Sequence, residues 1–225
     1  MNQLPFTVYD FFGYLASGAV VLAGCTAAFV GYEPFEGSPG LLVGFILVIA
    51  IYVVGHIVAN LAGDLIERRL ARSRLHPPTE ILLGFQAPGK VEAKLLPGYS
   101  TPLPAGVRDQ IIKLAQPRTG DALFFHCHAV MKSDSAVQVR LETFLNLYGF
   151  CRNMTLSLLI VACSLAAGIA LGTADTGPTV GPGWWVLGSV IGAVGMFYRY
   201  LKFYRQFAVE LLTSYAERKQ GNDPR

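Results

Sequence analysis

His126-Cys127-His128, inside the string DALFFHCHAVMK, is the most metal-like cluster in the chain. Ligands at i and i+2 share one face of a strand, but on a helix they point about 200° apart. The surrounding apolar spacing reads as helix and no second Cys/His cluster supplies further ligands. A structural role is therefore expected, and no metal is assigned. His56 and Asn60 lie four apart and share a helix face within an otherwise apolar run. Such a face supplies an interhelical hydrogen bond or, in a sharper reading, lines a pore or a proton-sensitive gate. A third set, His76, His126 or His128 with Asp121, would suit a lipid-processing enzyme at a membrane interface. No dinucleotide or P-loop glycine pattern, nucleophile elbow, zinc-protease helix or calcium loop is present. No catalytic residue and no cofactor is assigned, and an enzyme is not the first reading.

The elements that must position these residues are dominated by apolar runs. Of the 225 residues, 52% are hydrophobic and only 15% charged, with a mean hydropathy of +0.44. Soluble domains carry about 25% charged residues. Gly40 to Gly63, GLLVGFILVIAIYVVGHIVANLAG, holds no charge and runs directly into Arg68, Arg69, Arg72 and Arg74. At 1.5 Å per residue, about 20 apolar residues cross a bilayer core. Three further runs fit spans at about 11–31, 155–174 and 184–199. No basic stretch precedes the first, which reads as a retained span and not a cleaved signal. Thr7 and Asp10 precede it, and Asp10 is placed to favour its N-terminus electrostatically. Cys25, Cys127, Cys151 and Cys163 contain no CxxC pair and read as small buried hydrophobes.

The expected fold class is an all-α integral membrane protein with four transmembrane helices and a helical cytosolic region between spans two and three. Residues 1–75 form a hairpin whose second helix continues into the cytosol to about Leu75, where His76-Pro77-Pro78 breaks it. Residues 76–153 form the cytosolic region, a Pro/Gly-rich loop followed by helices. Two apolar pieces of that loop, Ile81 to Phe85 and Val91 to Leu96, fit either strands or segments lying on the membrane. From Asp134 or Ser135 a helix carries the stripe Val137, Leu141, Phe144, Tyr148 and Cys151. It runs without a breaker into span three, with Gly149 as the one kink point. Residues 154–225 form a second hairpin with a C-terminal amphipathic helix, striped by Tyr200, Tyr204, Phe207, Leu211 and Tyr215. That stripe reads first as a packing face, and second as a site for lipid headgroups or a partner helix.

Small residues mark close-packing faces at Gly13 and Ser17, Gly168 and Gly172, and Gly188, Gly192 and Gly195. Trp184 and Trp185 suit one membrane interface, while Arg199, Lys202 and Arg205 suit the other alongside the Arg68–Arg74 cluster. All 18 Lys and Arg fall either between Arg68 and Arg152, which holds 12, or from Arg199 onward, which holds 6. The positive-inside rule then puts both termini and the central region in the cytosol, in agreement with an even number of spans. Basic residues beside spans point to membrane lipids as partners and not to nucleic acid.

Thr7-Val8-Tyr9-Asp10-Phe11-Phe12-Gly13-Tyr14-Leu15 and Tyr148-Gly149-Phe150-Cys151-Arg152-Asn153-Met154 together resemble uncharacterised small bacterial four-span membrane proteins, some of them in phage-defence or stress loci. The resemblance implies an inner-membrane location and a sensor or membrane-disrupting role, and neither motif carries a catalytic residue. The function expected is a membrane sensor or pore-forming effector acting as a homo-oligomer, with a cytosolic trigger or partner protein engaging residues 76–150. The alternatives are an anchor for a cytosolic protein and the interfacial lipid-processing enzyme.

Overall fold

The computed structural model describes residues 8–31, 40–116, 120–177 and 180–221. Thr7, the side chain of Asp10, the acidic loop holding Glu33 and Glu36, and the last four residues lie outside these. Every regular element among the described residues is a helix. In order these are α1 Val8–Phe29, α2 Leu41–Ala62, a π-helical stretch Gly63–Arg72, α3 Pro78–Leu82, α4 Lys90–Leu95, α5 Pro97–Ser100, α6 Ala105–Ala115, α7 Gly120–Met131, α8 Ser135–Leu171 and α9 Pro182–Gly221.

Two helical runs are long and apolar enough to cross a membrane: Leu41–Arg72 and Ser135–Leu171. In the most apolar stretch of the first, only 11% of residues are buried, against 39% for the second. A core helix of a soluble protein would be mostly buried; this one has Leu41, Leu42, Val43, Phe45, Ile46 and Ile49 all exposed. α1 carries a shorter apolar stretch, Gly13–Phe29.

The chain divides into two compact units. One holds Met1–Glu67 and Gly149–Tyr200, the other Arg68–Tyr148 and Leu201–Arg225. In the first unit, α1 and α2 meet at Gly18 and Gly55. A Cβ at Gly18 would collide with the Ile51 carbonyl oxygen, and one at Gly55 with that of Tyr14. α8 closes on α1 at Gly168, where a Cβ would strike the Ala28 carbonyl, and at Gly24, which faces Val161. Polar groups are satisfied within this packing: Ser157 donates to the Ser17 carbonyl at 3.2 Å and Thr173 to that of Ala28 at 2.8 Å. Interhelical hydrogen bonds of this kind contribute about 0.6–2 kcal/mol each in apolar surroundings.

The second unit is a helical unit with its own core. Leu82, Ile111, Leu123, Met131 and Leu141 pack there against Leu211, Leu212 and Tyr215 of α9. The expected stripe of α8 is buried at Val137 and Leu141 and partly buried at Phe144 and Tyr148. α8 starts at Ser135, within the expected start at Asp134 or Ser135, and the Asp134 carboxylate caps it, accepting the Ala136 and Val137 N–H groups at 3.1 and 3.2 Å. The C-terminal stripe is buried from Tyr200 to Tyr215. Within the second unit its tail is tied by Tyr215, which donates to the Leu114 carbonyl at 3.1 Å, and by Arg218, which donates to that of Val130 at 2.8 Å. The last turns of α9 are thus core of the second unit, a role beyond that of an appended amphipathic helix.

Local departures from the expectations have identifiable causes. The pieces near Ile81 and Val91 are not strands but short helices, each opened by Pro or Gly. The helix leaving α2 does continue towards Leu75, but winds as π from Gly63 to Arg72. His76 ends it with φ at +62°, a left-handed conformation uncommon outside glycine. Its carbonyl accepts the Tyr99 hydroxyl at 2.7 Å. Gly149 introduces no break in α8.

Candidate ligand cavity

The second unit contains a cavity of about 260 Å³. Four of its lining residues, Asp121, Phe124, Phe125 and His128, come from α7 at i, i+3, i+4 and i+7 and so form one helix face. α9 contributes Tyr204, Phe207 and Ala208 in the same way, α8 contributes Tyr148, and the end of the π-helical stretch contributes Arg72. Pro77, Pro78 and Thr79, at the turn into α3, complete the wall.

The aromatic rings contact one another. Tyr148 lies 5.4 Å from Tyr204 and 6.1 Å from Phe207, centroid to centroid, while Phe124 lies 6.2 Å from Phe207. His128 stacks on Phe124 at 6.3 Å with an interplanar angle of 22°. Asp121 and Arg72 are exposed, so the polar groups stand where solvent reaches them. Nearby, burial raises the Tyr99 phenol above its ordinary range, with Tyr204 and Glu92 adding to the effect. Tyr99 is therefore a neutral donor at physiological pH, consistent with its bond to the His76 carbonyl.

Of the histidines considered for chemistry, the cavity takes only His128. His126 turns to the edge of Tyr215 at 5.7 Å, and His76 serves the helix break. Cys127, between the two histidines, is fully buried in the core, and burial pushes its thiol up to about 11. The His-Cys-His string is thus divided over three environments, and among the described residues no group of three potential ligands gathers to hold a metal. Asp121 and His128 are seven residues apart on one helix, about 10 Å along its axis at 1.5 Å per residue. That distance precludes direct orientation of the imidazole by the carboxylate, as an acid–base pair would require.

The remaining expected residues have distinct surroundings. His56 is stacked on Tyr14 of α1 at 4.1 Å and meets the edge of Tyr52 at 4.5 Å, whereas Asn60 is exposed. The two residues do not form one enclosed polar face. Gly168 is a packing contact, but Gly172 has φ of +73° and terminates α8: the Thr173 N–H returns to the Gly168 carbonyl at 2.9 Å. Ser17 is buried, while a Cβ at Gly13 would make only ordinary contact with Phe150. Gly192 faces Leu158, and Cβ atoms at Gly188 and Gly195 would meet nothing within 4 Å.

Arg68, Arg69, Arg72, Arg74, Arg199, Lys202, Trp184 and Trp185 are exposed, as interface residues must be. Arg205 differs: it donates to the Thr101 carbonyl at 2.6 Å, and burial lowers its pKa. It ties the Pro-rich segment to α9 within the second unit, which i+3 spacing from Lys202 does not foretell. The α7 face, by contrast, is legible in the sequence as Asp-x-x-Phe-Phe-x-x-His. The convergence of Arg72, Tyr148, Tyr204 and Phe207 upon it is tertiary and has no local signal.

Comparison with known proteins yields no matching family model, no matching curated protein and no matching solved structure.

Proposed function

We propose that this chain is a four-span sensor of the bacterial inner membrane, with both termini and the second unit in the cytosol, working as a homo-oligomer. The observation that carries the reading is the origin of the cavity wall. Arg72 ends the helical run that begins as α2, Tyr148 belongs to α8, and Tyr204 and Phe207 belong to α9. A ligand in the cavity thus touches three helices whose other portions are the apolar runs. Differential binding to two states of those helices is what sensing requires.

The bare apolar surface of α2 and of α9 around Trp184, Ile191 and Val194 supports spans at 40–63 and 184–199, and the distribution of Lys and Arg supports the orientation. The bacterial setting and a role in phage defence or stress rest on the sequence resemblance. Sensing is favoured over pore formation because His56 is held by the rings of Tyr14 and Tyr52.

Trp184 and Trp185 are the two tryptophans of the chain, both in the first turns of α9, and provide a native reporter. Ala208, 1% exposed, lines the cavity from the same helix. In nanodiscs, the cavity-filling Ala208→Phe variant is expected to alter quenching of the tryptophans by brominated lipid. Unchanged quenching in a folded variant would reject the coupling. An externally accessible C-terminus in reporter fusions would reject the four-span orientation.

A further inference from the structure

We propose that the cavity of the second unit recognises an alkylammonium phosphate ester, the chemistry of phosphocholine, whether free or as a lipid headgroup. This inference rests on the sensor reading and gives its ligand a class. The aromatic part of the lining is its first support. Phe124, Phe125, Tyr148, Tyr204 and Phe207 bring five rings to one space, with neighbouring centroids 5.4 to 6.2 Å apart. Ring faces attract a cation within about 6 Å, and sets of rings around one space are how proteins hold quaternary ammonium groups, which form no hydrogen bonds of their own. A simple apolar ligand would use the rings equally well but would have no use for the charges.

Those charges are the second support. The lining carries one carboxylate, Asp121, and one guanidinium, Arg72. The lining thus offers a group of each sign, and a ligand that carries both a cationic and an anionic group can meet the two at once, where a lone anion would face Asp121 and a lone cation Arg72. The guanidinium fork matches a phosphate, and Thr79 adds a hydroxyl to the same wall. Size is the third support: about 260 Å³ lies below the usual range of roughly 300–1,000 Å³ for ligand sites. It admits a headgroup and excludes a dinucleotide or the body of a lipid. Arg72 also belongs to the Arg68–Arg74 cluster adjoining the apolar run of α2, so headgroups are the nearest supply of such groups.

The test uses the full chain in nanodiscs of phosphatidylglycerol, which lack any amine, titrated calorimetrically with phosphocholine. Saturable binding is expected. The carbon isostere 3,3-dimethylbutyl phosphate, which keeps the phosphate and the shape but has carbon in place of the cationic nitrogen, is expected to bind at least tenfold more weakly. Asp121→Asn, at an exposed position that should leave folding intact, is expected to weaken phosphocholine about fivefold and not to weaken the carbon isostere. Phe207→Ala should abolish binding, with Asp121→Asn carrying the test if that core change unfolds the unit.

Repeating the titration in phosphatidylcholine nanodiscs separates the sources. A lower apparent affinity there means that the lipid headgroup occupies the site, and an unchanged one means a free ligand. Either supports the proposal. Absence of binding in phosphatidylglycerol discs, or equal binding of the carbon isostere, overturns it. If phosphocholine fails while Ala208→Phe still alters tryptophan quenching, the ligand class falls and the sensor reading stands. If phosphocholine binds but neither it nor Ala208→Phe alters quenching, the sensor reading falls alone.

Discussion

Arg152 on α8 donates from Nη1 to Oε2 of Glu67, in the π-helical stretch, at 2.6 Å, with 18% and 16% of the two side chains exposed. The guanidinium also reaches the side-chain oxygen of the adjacent Asn153, a residue 4% exposed. An ion pair this withdrawn from solvent holds its two helices in register, because separating it would leave a charge in a poorly solvated place. Removing one member of such a pair costs about 3 kcal/mol, whereas replacing both by apolar groups costs far less. Arg152→Met is therefore expected to lower the thermal midpoint in detergent well below that of the double variant Arg152→Met/Glu67→Met. A double variant as unstable as the single would show that the pair itself contributes net stability.

The glycines separate into two classes with different expected outcomes. Gly18→Ala and Gly55→Ala each drive a methyl group into a backbone carbonyl of the opposing helix. Overpacking of this kind costs about 1–3 kcal/mol or forces α1 and α2 apart. Gly188→Ala and Gly195→Ala meet only open space and should change the stability of a single chain by no more than about 0.5 kcal/mol. Unfolding midpoints in detergent check both statements. Native mass spectrometry adds a second reading, since loss of oligomer in Gly188→Ala would assign that face to contacts between copies.

Cys127 should be unreactive towards maleimide at pH 8 in the folded chain and react once the second unit opens. Its thiol is pushed up to about 11 from an ordinary value of 9.0 by burial. The sign follows from proton binding: between these two values the folded thiol keeps its proton and the unfolded one has lost it. Stability of the second unit therefore falls as pH rises from 9 to 11. In Cys127→Ala this part of the alkaline loss should disappear. Rapid labelling of Cys127 at pH 8 without unfolding would contradict its burial.

The C-terminal helix is expected to be indispensable. Leu211 and Tyr215 are both fully buried, so Leu211→Ala should cost about 2–5 kcal/mol through lost contacts and the cavity left behind. Tyr215→Phe, which removes only the hydrogen bond to the Leu114 carbonyl, should cost about 1–2 kcal/mol. Protease sensitivity of residues 105–131 is the readout, because α6 and α7 pack on this helix in the same core. Sensitivity unchanged in Leu211→Ala would place the stability of that unit elsewhere.

Much of this organisation could be read from residue spacing. Apolar runs located α1, α2 and the later parts of α8 and α9, and the i, i+4, i+7 stripe of α8 named Val137 and Leu141 as core. The start of α8 was legible as Asp134 or Ser135, and the helix begins at Ser135. Contacts that join distant stretches were not readable. Small-xxx-small spacing points to Gly13 and Ser17, but the closest approach is at Gly18 and Gly55, decided by how two helices cross. Gly172 has the spacing of a packing residue and the conformation of a terminator. Of the cavity, Asp121 and His128 stand out as titratable residues on one face, while Tyr148, Tyr204 and Phe207 look like ordinary core aromatics until three helices converge. The pairing of Glu67 with Arg152 spans 85 positions and leaves no local mark.

The nearly bare surface of α2 bears on how the chain is made. From Leu41 to Ile49 its side chains find little cover within the protein, so this segment can partition into lipid as soon as it leaves the ribosome, without waiting for a companion. α1 is different. It buries Ser17 and Ala28 and gains its tight contact only when Gly18 meets the Ile51 carbonyl. On the proposed four-span reading, burial imposes an order on biogenesis: α2 would insert by its own hydrophobicity, and α1 would be retained by docking upon it.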